Sequence, residues 1–112
     1  MADKIKGHTL KMFHPHFGMT IKEPIGVVGA ILPWNYPIPL MSWKLGAALA
    51  AGCTVVIKPA EQRPYTTLMF CRILNEAGVP PGVVNVVTGE GQTGELVSVH
   101  KGISKITFTG ST

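Results

Sequence analysis

Apolar and polar residues alternate near the start of the chain, in residues 9–13 (TLKMF) and 19–23 (MTIKE), on either side of the turn-like His14-Pro15-His16-Phe17-Gly18. This period of two predicts two antiparallel strands forming a ribbon. The pattern changes at Pro24. Residues 24–32 (PIGVVGAIL) form a continuous apolar run, as expected of a strand buried on both faces. Pro33-Trp34-Asn35-Tyr36-Pro37 breaks it. Residues 39–51 read as a helix rich in Ala and Leu, with Gly52 as its C-cap. Thr54–Ile57 is the next predicted strand, and Lys58–Arg63 the loop after it. Pro64 opens a helix running to about Ala77, stopped by Gly78 and Pro80-Pro81. Val83–Val87 is predicted as a third strand, Glu95–His100 as a short helix and Lys105–Thr109 as a fourth strand.

Strands alternating with helices over short connections predict an α/β fold, a parallel sheet with helices on both faces, here preceded by the antiparallel ribbon. The 112 residues allow one domain at most. Charged residues make up only 14%, against about 25% in average soluble proteins. Buried parallel strands have no solvated face, which accounts for the deficit. With 13 glycines and 9 prolines besides, the chain has the composition of an interior piece of a larger molecule.

Composition also narrows the function. The net charge of +4 comes from dispersed residues, and no clustered basic motif suggests nucleic acid. Leu45–Ile57, the longest apolar stretch, is 13 residues, and a spanning helix needs about 20. No apolar segment follows Met1, so neither a membrane span nor a secretory leader is expected. Cys53 and Cys71 form no CxxC pair and read as reduced core thiols, which suggests a cytoplasmic setting. Asp3 is the only aspartate, so neither a carboxylate-rich metal site nor a Ser-His-Asp triad is expected. His14 and His16 lack metal-ligand spacing with His8 and His100, and read as turn residues.

In a parallel sheet, ligands bind where strands end and helices begin. The loops 32–37, 58–63, 88–94 and 109–112 fall on that edge. Gly89-Glu90-Gly91-Gln92-Thr93-Gly94 matches G-x-G-x-x-G after a predicted strand, the context of a dinucleotide fingerprint. It reads equally as an ordinary glycine-rich turn. Thr109-Gly110-Ser111-Thr112 suits either a phosphate site or a capping turn. Lys58 and Glu61 fit a ribose or phosphate contact, or else a solvated lysine and a helix-start glutamate. Asn35, stiffened by flanking prolines and aromatics, is either an amide donor to an oxyanion or a turn residue.

Together these segments resemble the aldehyde dehydrogenase superfamily. The resemblance rests on Glu23–Val28 (EPIGVV), Pro33–Pro37 (PWNYP), Ala51–Gln62 (AGCTVVIKPAEQ), Ala77–Asn85 (AGVPPGVVN) and Phe108–Thr112 (FTGST). It implies a partial Rossmann-like sheet, with residues 24–112 an incomplete dinucleotide-binding domain and residues 1–23 part of the family's oligomerisation strands. Asn35 is then the oxyanion-hole amide. Lys58 and Glu61 bind the adenosine ribose, and Leu32, Pro33 and Trp34 line the cofactor cleft. Phe108, Thr109, Gly110 and Ser111 meet the cofactor, with Ser111 near the pyrophosphate. Gly91 and Gly94 lie beside the adenosine, so the apparent fingerprint is only a secondary contact.

The implied reaction oxidises an aldehyde to a carboxylic acid with NAD, or with NADP, in a homodimer or homotetramer. Neither the family's nucleophile segment (Gly-Gln-x-Cys) nor its base segment (Glu-Leu-Gly-Gly) occurs in this sequence. The 112 residues alone are therefore expected to be inactive. Two alternatives stay open, a non-catalytic module that binds nucleotide or inserts into oligomers, and a reductase of the same superfamily that makes acyl-CoA or acyl phosphate.

Overall fold

A computed structural model describes residues 2–111. Met1 and Thr112, the last residue of the FTGST motif, lie outside the described residues. After a short 3-10 turn at Ala2–Lys4, β1 (Thr9–Leu10) and β2 (Gly18–Met19) pair antiparallel, with Thr9 opposite Met19. The ribbon is shorter than the alternation predicts. Apart from half-buried Gly18 its residues are exposed, so no packing surface extends the pairing, and the ladder ends with the Thr20 N–H donating to the His8 carbonyl at 2.8 Å.

The rest is a layered unit. Its elements are β3 (Val27–Ile31), α1 (Pro37–Ala50), β4 (Thr54–Lys58), α2 (Pro64–Glu76), β5 (Val84–Val86), α3 (Gly91–Val99) and β6 (Lys105–Phe108). The four strands are parallel, in the order β5-β4-β3-β6. The chain thus builds outward from β3 to β5 and then returns to the other side of β3. The order reverses between β3 and β6.

Local chemistry explains the helix limits. Pro37 and Pro39 both fit the first turn of α1, where backbone N–H groups have no intrahelical partner. This lets the helix begin two residues before its predicted start. At the other end Gly52, at φ 80°, donates to the Leu49 carbonyl while Cys53 donates to Ala48, a Schellman motif that stops the helix. Gly78 closes α2 the same way. Helix α3 begins four residues before the predicted Glu95. The Glu90 carbonyl accepts from the N–H groups of Thr93 and Gly94, so both Gly91 and Gly94 sit inside the helix.

Alternation along the strands divides the core. Val28 and Ala30 of β3, with Val55 and Ile57 of β4, pack under Met41 and Leu45 of α1. Gly29 points the other way, where an added Cβ would lie 3.0 Å from the Val97 side chain, so α3 covers the opposite face. That cover is thin, and Leu96 and Val99 remain exposed. Among the described residues no helix is long and apolar enough to cross a membrane.

Candidate functional site

The carboxyl ends of β3, β4 and β6 open into one cleft of about 580 Å³. It sits at the reversal of strand order, the place where an open parallel sheet leaves a crevice between neighbouring loops. Main-chain bonds carry the ladder past the strand ends. The Leu32 N–H donates to the Lys58 carbonyl at 3.0 Å, and the Thr109 N–H to the Ile31 carbonyl at 3.1 Å. Three loops far apart in sequence are held side by side in this way.

The cleft walls contain Leu32, Pro33, Trp34, Asn35, Lys58, Glu61, Phe108, Thr109, Gly110 and Ser111. They do not contain Gly91 or Gly94, which belong to α3 at the end of β5. Packing accounts for one of the fingerprint glycines. An added Cβ on Gly89 would overlap the Thr93 side chain, whereas one on Gly94 would make only an ordinary contact with Ile31 of β3 at 3.9 Å.

Lys58 ends a buried strand and is only 4% exposed, yet it lines the cleft. Its ammonium pairs with Glu61 Oε2 at 3.3 Å, and Gln62 Nε2 donates to Glu61 Oε1 at 2.9 Å. Glu61's own backbone N–H, and then the Lys58 ammonium, hold its carboxyl below the ordinary carboxylate value. The result is a fixed anionic acceptor beside a cation with three donor hydrogens. This donor set matches the vicinal hydroxyls of a ribose and opposes a second anion at the same place.

The β3–α1 turn is not built for phosphate. A helix N-terminus binds anions through free N–H groups, and Pro37 and Pro39 remove two of them from the first turn of α1. What this turn presents is Asn35, which is exposed at the mouth. Asn35 and Thr109 also line a second, smaller cavity of about 420 Å³, whose other walls are Tyr36, Pro39, Leu40 and Trp43. Sequence reasoning missed these four. Their spacing of i, i+3, i+4 and i+7, from the N-cap Tyr36 into α1, was the available signal.

Lys44 was also missed. It donates from Nζ to Thr107 Oγ1 at 2.7 Å and ties α1 to β6, and burial lowers its pKa. Cys53 is buried at the start of β4, and burial raises the Cys71 thiol within α2. Among the described residues no group of three or more His, Cys, Asp or Glu side chains could hold a metal ion.

Comparison with known proteins identifies the family and agrees with the fold. The aldehyde dehydrogenase family model matches residues 1–112. Aldehyde dehydrogenase 1A1 of Homo sapiens is 53% identical over 112 residues, covering 99% of this chain and 22% of that protein. Among solved structures, the NAD+ complex of an aldehyde dehydrogenase from Bacillus cereus superposes with a TM-score of 0.90 at 49% identity, over 98% of this chain and 23% of that one. Betaine aldehyde dehydrogenase from Staphylococcus aureus, in complex with NAD+, gives 0.87 at 41% identity, over 98% of this chain and 22% of that one. The chain thus spans less than a quarter of the length of these relatives. With the family model matched from end to end and a parallel sheet carrying the cleft, the chain belongs to the aldehyde dehydrogenase family.

Proposed function

We propose that this segment supplies the oxyanion donor and one wall of the dinucleotide site in an enzyme that oxidises an aldehyde to a carboxylic acid. The observation that carries the reading is the position of Asn35, shared by the cleft at the strand reversal and the apolar cavity beside it. An aldehyde held in the smaller cavity would have its carbonyl next to the amide. As the carbon becomes tetrahedral, negative charge gathers on its oxygen, and the Asn35 amide donates to it.

Lys58 and Glu61 bind the ribose of the cofactor. Leu32, Pro33, Trp34 and Phe108 give its rings an apolar wall, and Thr109, Gly110 and Ser111 lie toward the pyrophosphate. Gly91 and Gly94 make a peripheral contact with the adenosine. When bound, the cofactor accepts a hydride. Glu61 is anionic at neutral pH and repels a 2′-phosphate, which favours NAD over NADP.

The attacking thiolate comes from outside residues 1–112, because Cys53 is in the core and burial holds the Cys71 thiol protonated. The ribbon leaves Phe13, Phe17 and Ile21 exposed. Covering them against a second subunit, in a homodimer or homotetramer, removes that apolar surface from water.

The test is NADH formation with a panel of aldehydes. The protein carrying this segment should form NADH, and residues 1–112 alone should not. Failure of the former with every aldehyde and with both cofactors would overturn the oxidation. Turnover by the latter would overturn the placement of the nucleophile.

A further inference from the structure

Asn35 makes no hydrogen bond through its amide among the described residues, so no side-chain partner sets its direction. The backbone after it is unusual. Tyr36 lies at φ 49°, ψ 49°, the one non-glycine residue at positive φ among the described residues. A bulky L-residue is disfavoured there because its Cβ crowds the following carbonyl.

If the chain needed only a tight turn at this point, glycine or asparagine at position 36 would supply it with little strain. The asparagine stands one residue earlier, and the strain is carried by an aromatic residue. We propose that the left-handed main chain of Tyr36 aims Asn35, making Tyr36 a positioning residue through its backbone. The proposal rests on the reading of Asn35 as the oxyanion donor.

Neighbouring residues hold this conformation in place. Pro37 disfavours the right-handed helical region for the residue before it. Of the conformations left, the extended one would carry the chain onward from β3. The left-handed one turns it back, as α1 requires in order to lie over β3 and β4. The Tyr36 carbonyl accepts the Leu40 N–H at 3.2 Å, and neither Pro37 nor Pro39 has an N–H to offer it. One backbone setting therefore determines both the first turn of α1 and the direction of Asn35. The Tyr36 ring has a separate place as a wall of the smaller cavity.

Backbone and ring are separable by substitution in the protein carrying this segment. Tyr36→Asn keeps access to the left-handed region and removes the ring, so aldehyde KM should rise while kcat stays close to that of the parent. Tyr36→Ile removes the ring and disfavours the conformation as well. Its kcat should fall by about 100-fold, the scale of a small misplacement of a reacting group, with cofactor KM unchanged. If Tyr36→Ile does not fold, Tyr36→Gly and Tyr36→Ala lose the ring equally, and Gly should retain the higher kcat. The proposal is overturned if Ile keeps full kcat, if Asn loses as much as Ile, or if Ala matches Gly. Asn35→Ala separates the two levels. Full kcat in that variant defeats the oxyanion reading itself, whereas a collapse of kcat there with Tyr36→Ile unaffected defeats only the positioning role.

Discussion

Two strand-to-helix turns face the same edge of this sheet and invite opposite readings. The turn from β5 to α3 carries three glycines in the spacing of a dinucleotide fingerprint. The turn from β3 to α1 has no glycine and begins its helix with two prolines in three residues. Motif matching favours the first as the ligand site. The structure places the second in the cleft, because β6 returns beside β3 and not beside β5. Of the glycines in the first turn, Gly89 answers to packing, because a side chain there would meet Thr93. A strand-to-helix turn meets the cleft when it lies at the reversal of strand order, and a glycine pattern does not reveal that location.

The sharpest way to break this comparison is to remove one polar side chain from each turn. Asn35→Ala should lower kcat by about 10²–10³, the cost of losing one oxyanion donor, as read from NADH formation. Gln92→Ala in the glycine turn should leave kcat where it was. A large loss at Gln92 would move the chemistry to the glycine turn.

Next in size is the ribose contact. Glu61→Gln should raise the KM for NAD+ by about tenfold and narrow the preference for NAD+ over NADP+. The pH dependence follows from the lowered carboxyl. With its folded value below the ordinary one, Glu61 remains anionic as pH falls through the usual carboxylate range. Its contribution to stability and to cofactor binding is present above the unfolded value and is lost as pH falls through the lower, folded one. Cofactor affinity measured across acid pH should hold to below the ordinary carboxylate value. A loss centred near pH 4.5, the unshifted value, would contradict the hold on this carboxyl by its own backbone N–H and by Lys58.

Within the glycine turn itself, Gly89→Ala should destabilise the fold by about 1–3 kcal/mol, since its φ of 149° is strained for an L-residue and the added Cβ meets Thr93. Thermal unfolding would show this, with cofactor KM nearly unchanged. The smallest effect is expected of Gly91→Ala. It lies in open space inside α3, so the change should stabilise by about 0.5–1 kcal/mol and move cofactor KM only slightly. A steep rise in KM there would restore the fingerprint as the main phosphate site.

Much of the fold was legible because its determinants are local. The apolar runs, the prolines at helix starts and Gly52 and Gly78 at helix ends act over a few residues. The element order predicted from them matches the structure with shifts of a few positions. Of the site, Asn35, Lys58 and Glu61 were candidates from their residue types, but each had a structural reading of similar weight. The structure brings all three to one cleft, which supports the roles proposed for them. The ribbon was overpredicted because alternation without a covering layer does not extend pairing. The start of α3 was placed late because glycine was read as loop, whereas Glu90 caps a helix that contains two.

What the sequence by itself determined is the kind, order and ends of the elements, and, through long specific motifs, the family. What only the tertiary structure decided is which loops meet. Strand order is a pairing between segments tens of residues apart, set by burial of whole faces, and no local period encodes it. The return of β6 to the side of β3 brought Phe108 and Ser111 into the cleft with Asn35 and left Gly91 and Gly94 outside it. The left-handed Tyr36 belongs to the same category, since its strain is tolerated only where the packing of α1 on the sheet requires it.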